Sequence, residues 1–229
     1  MTDFQHPEGG YVFVVTYGRS GSTLLQNLLN TIPGFLIRGE NNNALYPLFE
    51  SWSAITQSPD IARMKRDGTV SDASHPWFGA ELVDPDAYRV TLCQTFAQRI
   101  LCPMPDTRVS GFKEIRTIAD PARFAAYLRF VQDGFPKARI IFNIRNAADV
   151  CRSSWWRSHD PTQVAAMINA ADAVFRAHVA AYPARSVLLD YDRYSTDHAA
   201  LEPLFALLGE RPARAALNTV MGTRLTHAT

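Results

Sequence analysis

The segment TYGRSGSTLL, from Thr16 to Leu25, has the residue types of a loop that binds an oxyanion. It follows an apolar run, YVFVVTY, and precedes leucines with helical spacing. A glycine-containing turn between strand and helix brings backbone N–H groups and the positive end of a helix dipole to one point. An ordinary strand–turn–helix junction is the alternative. The residues predicted to bind an anion offer amides, hydroxyls or positive charge: Arg19, Ser20, Gly21, Ser22, Thr23 and Leu24.

This loop differs from the nucleotide-kinase pattern GxxxxGK(S/T). No lysine precedes Ser22-Thr23, and the glycines Gly18 and Gly21 are too close together. A terminal phosphoryl group carries up to about two negative charges and usually needs a metal, whereas a sulfuryl group carries a single one. Arginine, lysine and backbone donors can match that single charge, so no metal is expected.

A second candidate site lies in IRNAADVCRSS, from Ile144 to Ser154. Arg145 ends a buried strand, and Ser153 lies eight residues on, in the predicted next helix. Asn146 is predicted to cap that helix, with Asp149 completing a capping box. We therefore expect Arg145 and Ser153 to hold one phosphate between them. The alternative is that Arg145 pairs with Asp149 and Ser153 lies on a helix face.

Together, the two segments resemble the sulfotransferase family that uses 3′-phosphoadenosine 5′-phosphosulfate (PAPS). Its members carry a loop like Tyr17–Thr23 for the 5′-phosphosulfate. They also carry R-N-x-x-D-x-x-x-S for the 3′-phosphate, matched here by Arg145, Asn146, Asp149 and Ser153. The resemblance implies transfer of a sulfuryl group to an acceptor hydroxyl or amine, with adenosine 3′,5′-bisphosphate as the product and no metal.

Two further donor contacts follow from the same resemblance. The segment LLDYD is similar to the family's strand and tyrosine-acid turn, which implies that Tyr191 lies by the adenine. Cytosolic members also close a basic, glycine-rich segment over the donor late in the chain. That segment is not found here, and Thr223 and Arg224 in MGTRLT are the expected shorter substitute.

The transfer step needs a general base close to the acceptor oxygen. Glu40 follows the second predicted strand, where tyrosylprotein sulfotransferases and some bacterial relatives have a catalytic glutamate, and pairing with Arg38 is its alternative fate. The same resemblance implies that Lys113 stabilises the leaving group, with Arg19 doing similar work from the loop. Glu114 is the reserve candidate for the base. The alternative role of Lys113 is a salt bridge to Glu114 or to another carboxylate. Of the histidines, His75 alone is placed near a cap.

Apolar runs alternate with helical patterns along the chain. We predict strands at 11–17, 35–37, 109–113, 139–145 and 186–190. Helices are predicted at about 20–31, 86–101, 121–133, from 146, at 161–181 and at 199–209. The alternation predicts an α/β fold with a central, mostly parallel sheet and helices on both faces, and the resemblance implies a P-loop NTPase-like arrangement.

The proline-rich stretch from 41 to about 108 is interpreted as a helical cap or insertion that contacts the acceptor, within one domain spanning 1–229. Its aromatic residues either line an acceptor pocket or form the cap's own small core. They are Tyr46, Phe49, Trp52, Trp77, Phe78 and Tyr88. Trp155 and Trp156 receive no role.

Composition narrows the function classes. The net charge of +1 argues against a general nucleic-acid partner. Three cysteines without a CxxC pair suggest neither disulfides nor a zinc site. A polar N-terminus, and no apolar run near the roughly 18–20 residues that span a bilayer, predict a cytoplasmic protein without a membrane partner.

Two rival functions remain open: a nucleotide-dependent small-molecule kinase, and a non-catalytic nucleotide-binding protein. The missing lysine of the kinase loop counts against the first. The second would tolerate loss of Glu40 and Lys113. The acceptor, whether small molecule, sugar or peptide tyrosine, and the oligomeric state are not determined by the sequence.

Overall fold

The centre of the protein is a five-stranded sheet, seen in a computed structural model that describes residues 4–68 and 70–223. All neighbouring strands are parallel, in the order β2-β3-β1-β4-β5. The strands are β1 Tyr11–Val15, β2 Phe35–Arg38, β3 Val109–Glu114, β4 Arg139–Ile144 and β5 Ser186–Asp190. The predicted parallel α/β sheet is therefore confirmed.

Both faces of the sheet are covered by helices, as predicted. Every residue of β1 is buried, and successive side chains point to opposite faces. Tyr11 and Phe13 pack into one hydrophobic cluster, and Val12 and Val14 pack into another. Parallel sheets need this double cover because crossover helices lie on both faces.

The described residues contain ten α-helices. These are α1 Ser22–Leu29, α2 Leu45–Thr56, α3 Pro59–Asp67, α4 Pro85–Phe96, α5 Pro121–Gly134, α6 Ala147–Cys151, α7 Pro161–Ala181, α8 Tyr191–Tyr194, α9 Glu202–Leu208 and α10 Arg214–Gly222. Helices α5 and α7 cover the first face, and α1 and α9 cover the second.

Three predicted helices differ from the structure in their first residue or in their helix type. Helix α1 starts at Ser22 rather than at residue 20, because Arg19 and Gly21 have left-handed φ values of 69° and 83°. The helix predicted over 86–101 ends as α-helix at Phe96 and continues as one π-helical turn, Ala97–Leu101. The last predicted helix is a 3-10 turn followed by α9, and α10 was not predicted.

The stretch from 41 to 108 is more regular than its prolines suggested. Pro59 and Pro85 lie in the first turns of α3 and α4, behind the N-caps Ser58 and Asp84. A proline there costs no helical hydrogen bond.

A separate aromatic core in this stretch was a wrong expectation. Phe49 belongs to the main core, where its ring lies 5.6 Å from that of Phe130 in α5, and Tyr46 and Trp52 pack against the same cluster. Trp77 and Phe78 are exposed instead. The stretch therefore shares the main hydrophobic core through α2, while Ile61, Met64 and Ala80 form a separate small cluster without aromatic residues.

Within the described ranges, no helix combines the length and the apolar character needed to cross a membrane.

Candidate active site

A cleft of about 480 Å³ lies at the carboxyl edge of the sheet, where β1, β3 and β4 end side by side. Ligands of open α/β sheets bind at this edge. The cleft is lined by Gly18, Arg19, Gly21, Ser22, Thr23, Leu24, Glu40, Lys113, Ile115, Arg145, Trp155, Tyr191, Ser195, Met221 and Thr223. It thus brings together most of the residues singled out in the sequence.

The loop after β1 is fixed from below by neutral hydrogen bonds. Thr16 Oγ1 lies 2.7 Å from Ser20 Oγ and 2.5 Å from the carbonyl oxygen of Asn143. The Asn143 side-chain amide donates to the Ser20 carbonyl at 2.8 Å. Ser20 is completely buried, so its hydroxyl supports the loop from beneath. The cleft face of the loop consists of the backbone with Arg19, Ser22 and Thr23.

The start of α1 presents backbone N–H groups to the cleft. Its N-cap residue, Gly21, has no side chain that could accept from them. The first N–H groups of a helix lack partners within the helix and carry partial positive charge. The geometry of the loop therefore suits an oxyanion.

Two glycines let aromatic rings close onto this loop. A Cβ on Gly21 would lie 2.0 Å from Tyr191 Cδ2, and one on Gly18 would lie 2.6 Å from Trp155 Cζ2. The indole N–H of Trp156 donates to the Gly18 carbonyl at 3.2 Å. Sequence reasoning missed this contact, although a tandem tryptophan after Ser153 was a signal that could have been weighed.

Arg145 lies between the loop and Tyr191. Its guanidinium donates to the Arg19 carbonyl at 3.0 Å and lies 4.8 Å from the centre of the Tyr191 ring. Asp192 approaches its Nε at 3.6 Å. The backbone N–H of Arg145 also donates to the Tyr17 hydroxyl at 2.9 Å, and burial raises the pKa of that phenol.

Ser153 contacts Arg19, but it does not lie within a helix as predicted. Helix α6 ends at Cys151, so Ser153 lies beyond the helix rather than two turns along it. Its hydroxyl accepts from Arg19 Nε at 2.9 Å. Arg19 therefore bridges Ser153 and Arg145 through its side chain and its carbonyl.

The predicted capping box after β4 is wrong. Asn146 does cap α6, accepting from the Ala148 N–H at 2.9 Å. Asp149, however, pairs with Arg152 at 2.5 Å, and the Asn146 N–H donates to Asp192 at 2.8 Å. The alternative pairing of Arg145 with Asp149 is excluded by the same contacts. Asp192, after β5, takes the place predicted for Asp149.

Glu40 and Lys113 meet in the cleft. Lys113 Nζ lies 2.5 Å from Glu40 Oε1, and the lysine side chain is only 7% exposed. Arg116 Nη1 lies 3.9 Å from the other oxygen of Glu40. Arg38 points elsewhere, donating to the carbonyls of Leu101 and Cys102, so the alternative that it pairs with Glu40 is wrong.

The remaining candidates lie around this pair. Glu114 is buried beneath it and accepts from Arg116 at 3.2 Å rather than from Lys113. His75 is exposed and accepts from the Trp77 N–H. Thr223 lines the cleft beside Met221, whereas Arg224 lies outside the described residues. Across 4–68 and 70–223, no group of three or more His, Cys, Asp and Glu residues could hold a metal ion.

The five-stranded parallel sheet, with helices on both faces and a glycine-containing loop between β1 and α1, has a P-loop-like α/β fold. Within this class of fold, the chain belongs to the sulfotransferase family, because the sequence model described as "Sulfotransferase family" matches residues 11–209. The resemblance noted in the sequence is thereby confirmed.

Two solved structures share the fold. The sulfotransferase domain of the Synechococcus PCC 7002 olefin synthase is 17% identical with a TM-score of 0.54, covering 99% of this chain and 92% of its own. The sulfotransferase domain of the curacin biosynthetic pathway is 16% identical with a TM-score of 0.52, covering 96% and 81%. No curated protein sequence matches the chain significantly.

Proposed function

We propose that this sulfotransferase moves the sulfuryl group of PAPS to a hydroxyl or amine of an acceptor, with Glu40 as the general base. The observation that carries the proposal is the contact between Glu40 and Lys113 in the cleft that also holds the anion loop and Arg145. An acid–base group, a cation for the leaving group and two anion-binding regions thus share one cavity.

In the proposed reaction, Glu40 accepts the proton of the acceptor O–H or N–H as that atom bonds to sulfur. The bond between sulfur and the bridging oxygen breaks, and its electron pair leaves with adenosine 3′,5′-bisphosphate. Lys113, Arg19 and the N–H groups of α1 are placed to stabilise the charge on the departing phosphate. Because the transferred group carries a single charge, these donors suffice to match it.

The two ends of the donor are assigned to the two candidate anion-binding regions. The 5′-phosphosulfate is assigned to the loop residues Arg19–Leu24, and the 3′-phosphate to Arg145 with Ser153. Tyr191 lies against both Gly21 and Arg145, which suits a role beside the nucleoside. Thr223 lines the far part of the same cleft.

Before donor binds, Lys113 and Glu40 satisfy each other. A sulfuryl group entering the loop gives Lys113 a second anion, and the carboxylate of Glu40, 35% exposed, then faces the acceptor. In the absence of donor, each of the two charged side chains thus has the other as its counter-ion.

The first test is ligand binding followed by transfer. Thermal-shift measurements should show stabilisation by adenosine 3′,5′-bisphosphate and little by ATP with magnesium. Labelled PAPS is then incubated with naphthol, tyramine, N-acetylglucosamine and a tyrosine peptide. A stronger response to ATP–magnesium would favour the kinase, and bisphosphate binding with no transfer to any acceptor or to water would favour a non-catalytic nucleotide-binding protein.

A further inference from the structure

Glu114 is a buried carboxylate directly beside the cleft, at the end of β3. Its side chain is 4% exposed, and four donors converge on its two oxygens. Oε2 accepts from the Asn43 N–H at 2.8 Å. Oε1 accepts from the N–H groups of Ile115 at 2.9 Å and Arg116 at 3.2 Å, and from Arg116 Nη1 at 3.2 Å.

We propose that Glu114 is a positioning residue that holds the turn after Glu40, and thereby the base, in its place against Lys113. This inference rests on the proposed function, in which Glu40 takes the acceptor proton. It assigns the two glutamates different tasks: Glu40 exchanges a proton in the cleft, and Glu114 fixes the backbone that carries Glu40.

The contacts and burial of Glu114 argue against the same task for both glutamates. Three hydrogen bonds fall on its Oε1 and one on its Oε2, and the side chain is 4% exposed, so an acceptor group has little access to either oxygen. Glu40 is more exposed and lines the cleft, whereas Glu114 lies beneath it.

The turn from Asn41 to Asn43 is held both from within and by Glu114. Asn42 and Asn43 have left-handed φ values of 58° and 55°, a conformation that asparagine adopts more readily than most residues with a Cβ but less readily than glycine. Asn41 holds the turn from within, since its Oδ1 accepts from the Ala44 N–H at 2.9 Å. The bond from the Asn43 N–H to Glu114 fastens the turn to the sheet.

Glu114 also sets the distance between a second cation and the base. Arg116 Nη1 lies 3.2 Å from Glu114 and 3.9 Å from Glu40, whereas Lys113 Nζ lies 2.5 Å from Glu40. Glu114 therefore holds Arg116 farther from the base than Lys113 is. Glu114 thus fixes both the turn that follows Glu40 and the arginine that is the second cation near it.

The test compares Glu114→Gln, Asn43→Gly and the double variant. Glutamine keeps the size of the side chain but replaces one carboxylate oxygen with an NH₂ group. The N–H group that donated to that oxygen then faces another donor. Transfer from labelled PAPS is measured with whichever of the four acceptors above the wild type uses, or with water. We expect Glu114→Gln to lower kcat at least about tenfold, with the affinity for adenosine 3′,5′-bisphosphate within about twofold of wild type.

The double variant separates positioning from proton transfer. Glycine adopts positive φ without strain, so Asn43→Gly should restore part of the lost kcat if Glu114 acts by holding this turn. A lost base would not be restored by a change in the turn. Hydrogen exchange at the Asn43 amide should be at least about tenfold faster in Glu114→Gln than in wild type, because the amide loses its acceptor.

Glu81→Gln is the matched control, because that carboxylate ties down Ser71 far from the cleft. The proposal is overturned by unchanged kcat or unchanged Asn43 exchange in Glu114→Gln, by an equal loss of bisphosphate affinity, or by failure of the double variant to recover. If the wild type neither binds the bisphosphate nor transfers sulfuryl, the proposed function fails instead.

Discussion

The two halves of the cleft are held together by different forces. The donor half, comprising Thr16–Thr23 with Arg145 and Tyr191, is shaped by hydrogen bonds to backbone carbonyls and by aromatic rings packed on glycines. The transfer half, comprising Glu40 and Lys113 with the residues that contact them, is held by ion pairs.

Under the proposed function, this difference separates binding of the donor from transfer of the sulfuryl group. Hydrogen bonds to backbone carbonyls and ring packing fix a shape whether or not a ligand is present, and the one ion pair of the donor half, between Arg145 and Asp192, is longer at 3.6 Å. An ion pair between a base and a cation is instead open to competition from an incoming anion. Changes of shape in the donor half should therefore alter affinity, whereas changes of charge in the transfer half should alter rate.

The largest effect is expected from Glu40→Gln. Loss of a general base lowers turnover by about a hundredfold or more. Bisphosphate affinity should change less than about threefold, because the donor half is intact. Steady-state kinetics with labelled PAPS and calorimetry with the bisphosphate measure the two quantities. Glu50→Gln, an exposed glutamate paired with Arg123, is the control. Near-normal turnover in Glu40→Gln would show that another group takes the proton.

Gly21→Ala should produce the next largest effect, in binding. The new Cβ would lie 2.0 Å from the Tyr191 ring at a residue with φ of 83°, so the ring and the loop must separate. We expect bisphosphate affinity to fall by at least about thirtyfold, since a misplaced anion loop loses several charge-assisted bonds. Gly79→Ala is a close control, because Gly79 has φ of 82° and open space around it. Equal affinity in both variants would contradict a role for the Tyr191 contact.

Arg145→Ala should affect one end of the donor. Removing its guanidinium should weaken binding of adenosine 3′,5′-bisphosphate about tenfold more than binding of adenosine 5′-phosphate, since a charge-assisted hydrogen bond to the 3′-phosphate is lost. Competition titrations with both nucleotides measure the ratio. Arg152→Ala, which removes an exposed pairing with Asp149, serves as control. Equal losses for both nucleotides would withdraw the 3′-phosphate assignment.

Within the donor half, the sequence predicted the loop but not the distant contacts that hold it. The loop is contiguous, and β1 before it is a buried apolar run, so local pattern was sufficient. The bond between Arg19 and Ser153 joins residues 134 positions apart, and that from Trp156 to Gly18 spans 138. No local periodicity encodes contacts at such separations.

Backbone conformation explains other differences between prediction and structure. A left-handed residue, Arg19, delayed the start of α1, and nothing in its residue type signals a positive φ. Pro59 and Pro85 begin helices in the stretch from 41 to 108, where only one helix, at about 86–101, was predicted. The same residue type ends or starts a helix depending on its N-cap.

The smallest effect on the cleft concerns pH, because it acts through the stability of the fold. It bears on how the dependence of the transfer rate on pH is interpreted. His178 lies behind the sheet on α7, with Nε2 3.0 Å from Gln132 Oε1. Burial, aided by Arg129 and Arg185, lowers the pKa of His178 to about 4. The unfolded chain thus binds a proton more readily than the folded one, and stability present above about pH 6.5 is lost as the pH falls toward 4. The loss at acid pH is at most about 3 kcal/mol for a shift of this size.

His178→Gln keeps a donor for Gln132 and removes the titration, so its stability should vary less between pH 7 and pH 4.5, by about 2 kcal/mol. Urea unfolding across this range measures the difference. If activity falls below pH 6 in the wild type but not in His178→Gln, the acid limb reports unfolding rather than protonation of the base. If both proteins lose activity alike while remaining folded, the limb belongs to the cleft. Identical pH dependence of unfolding in the two proteins would show that His178 does not carry the shift.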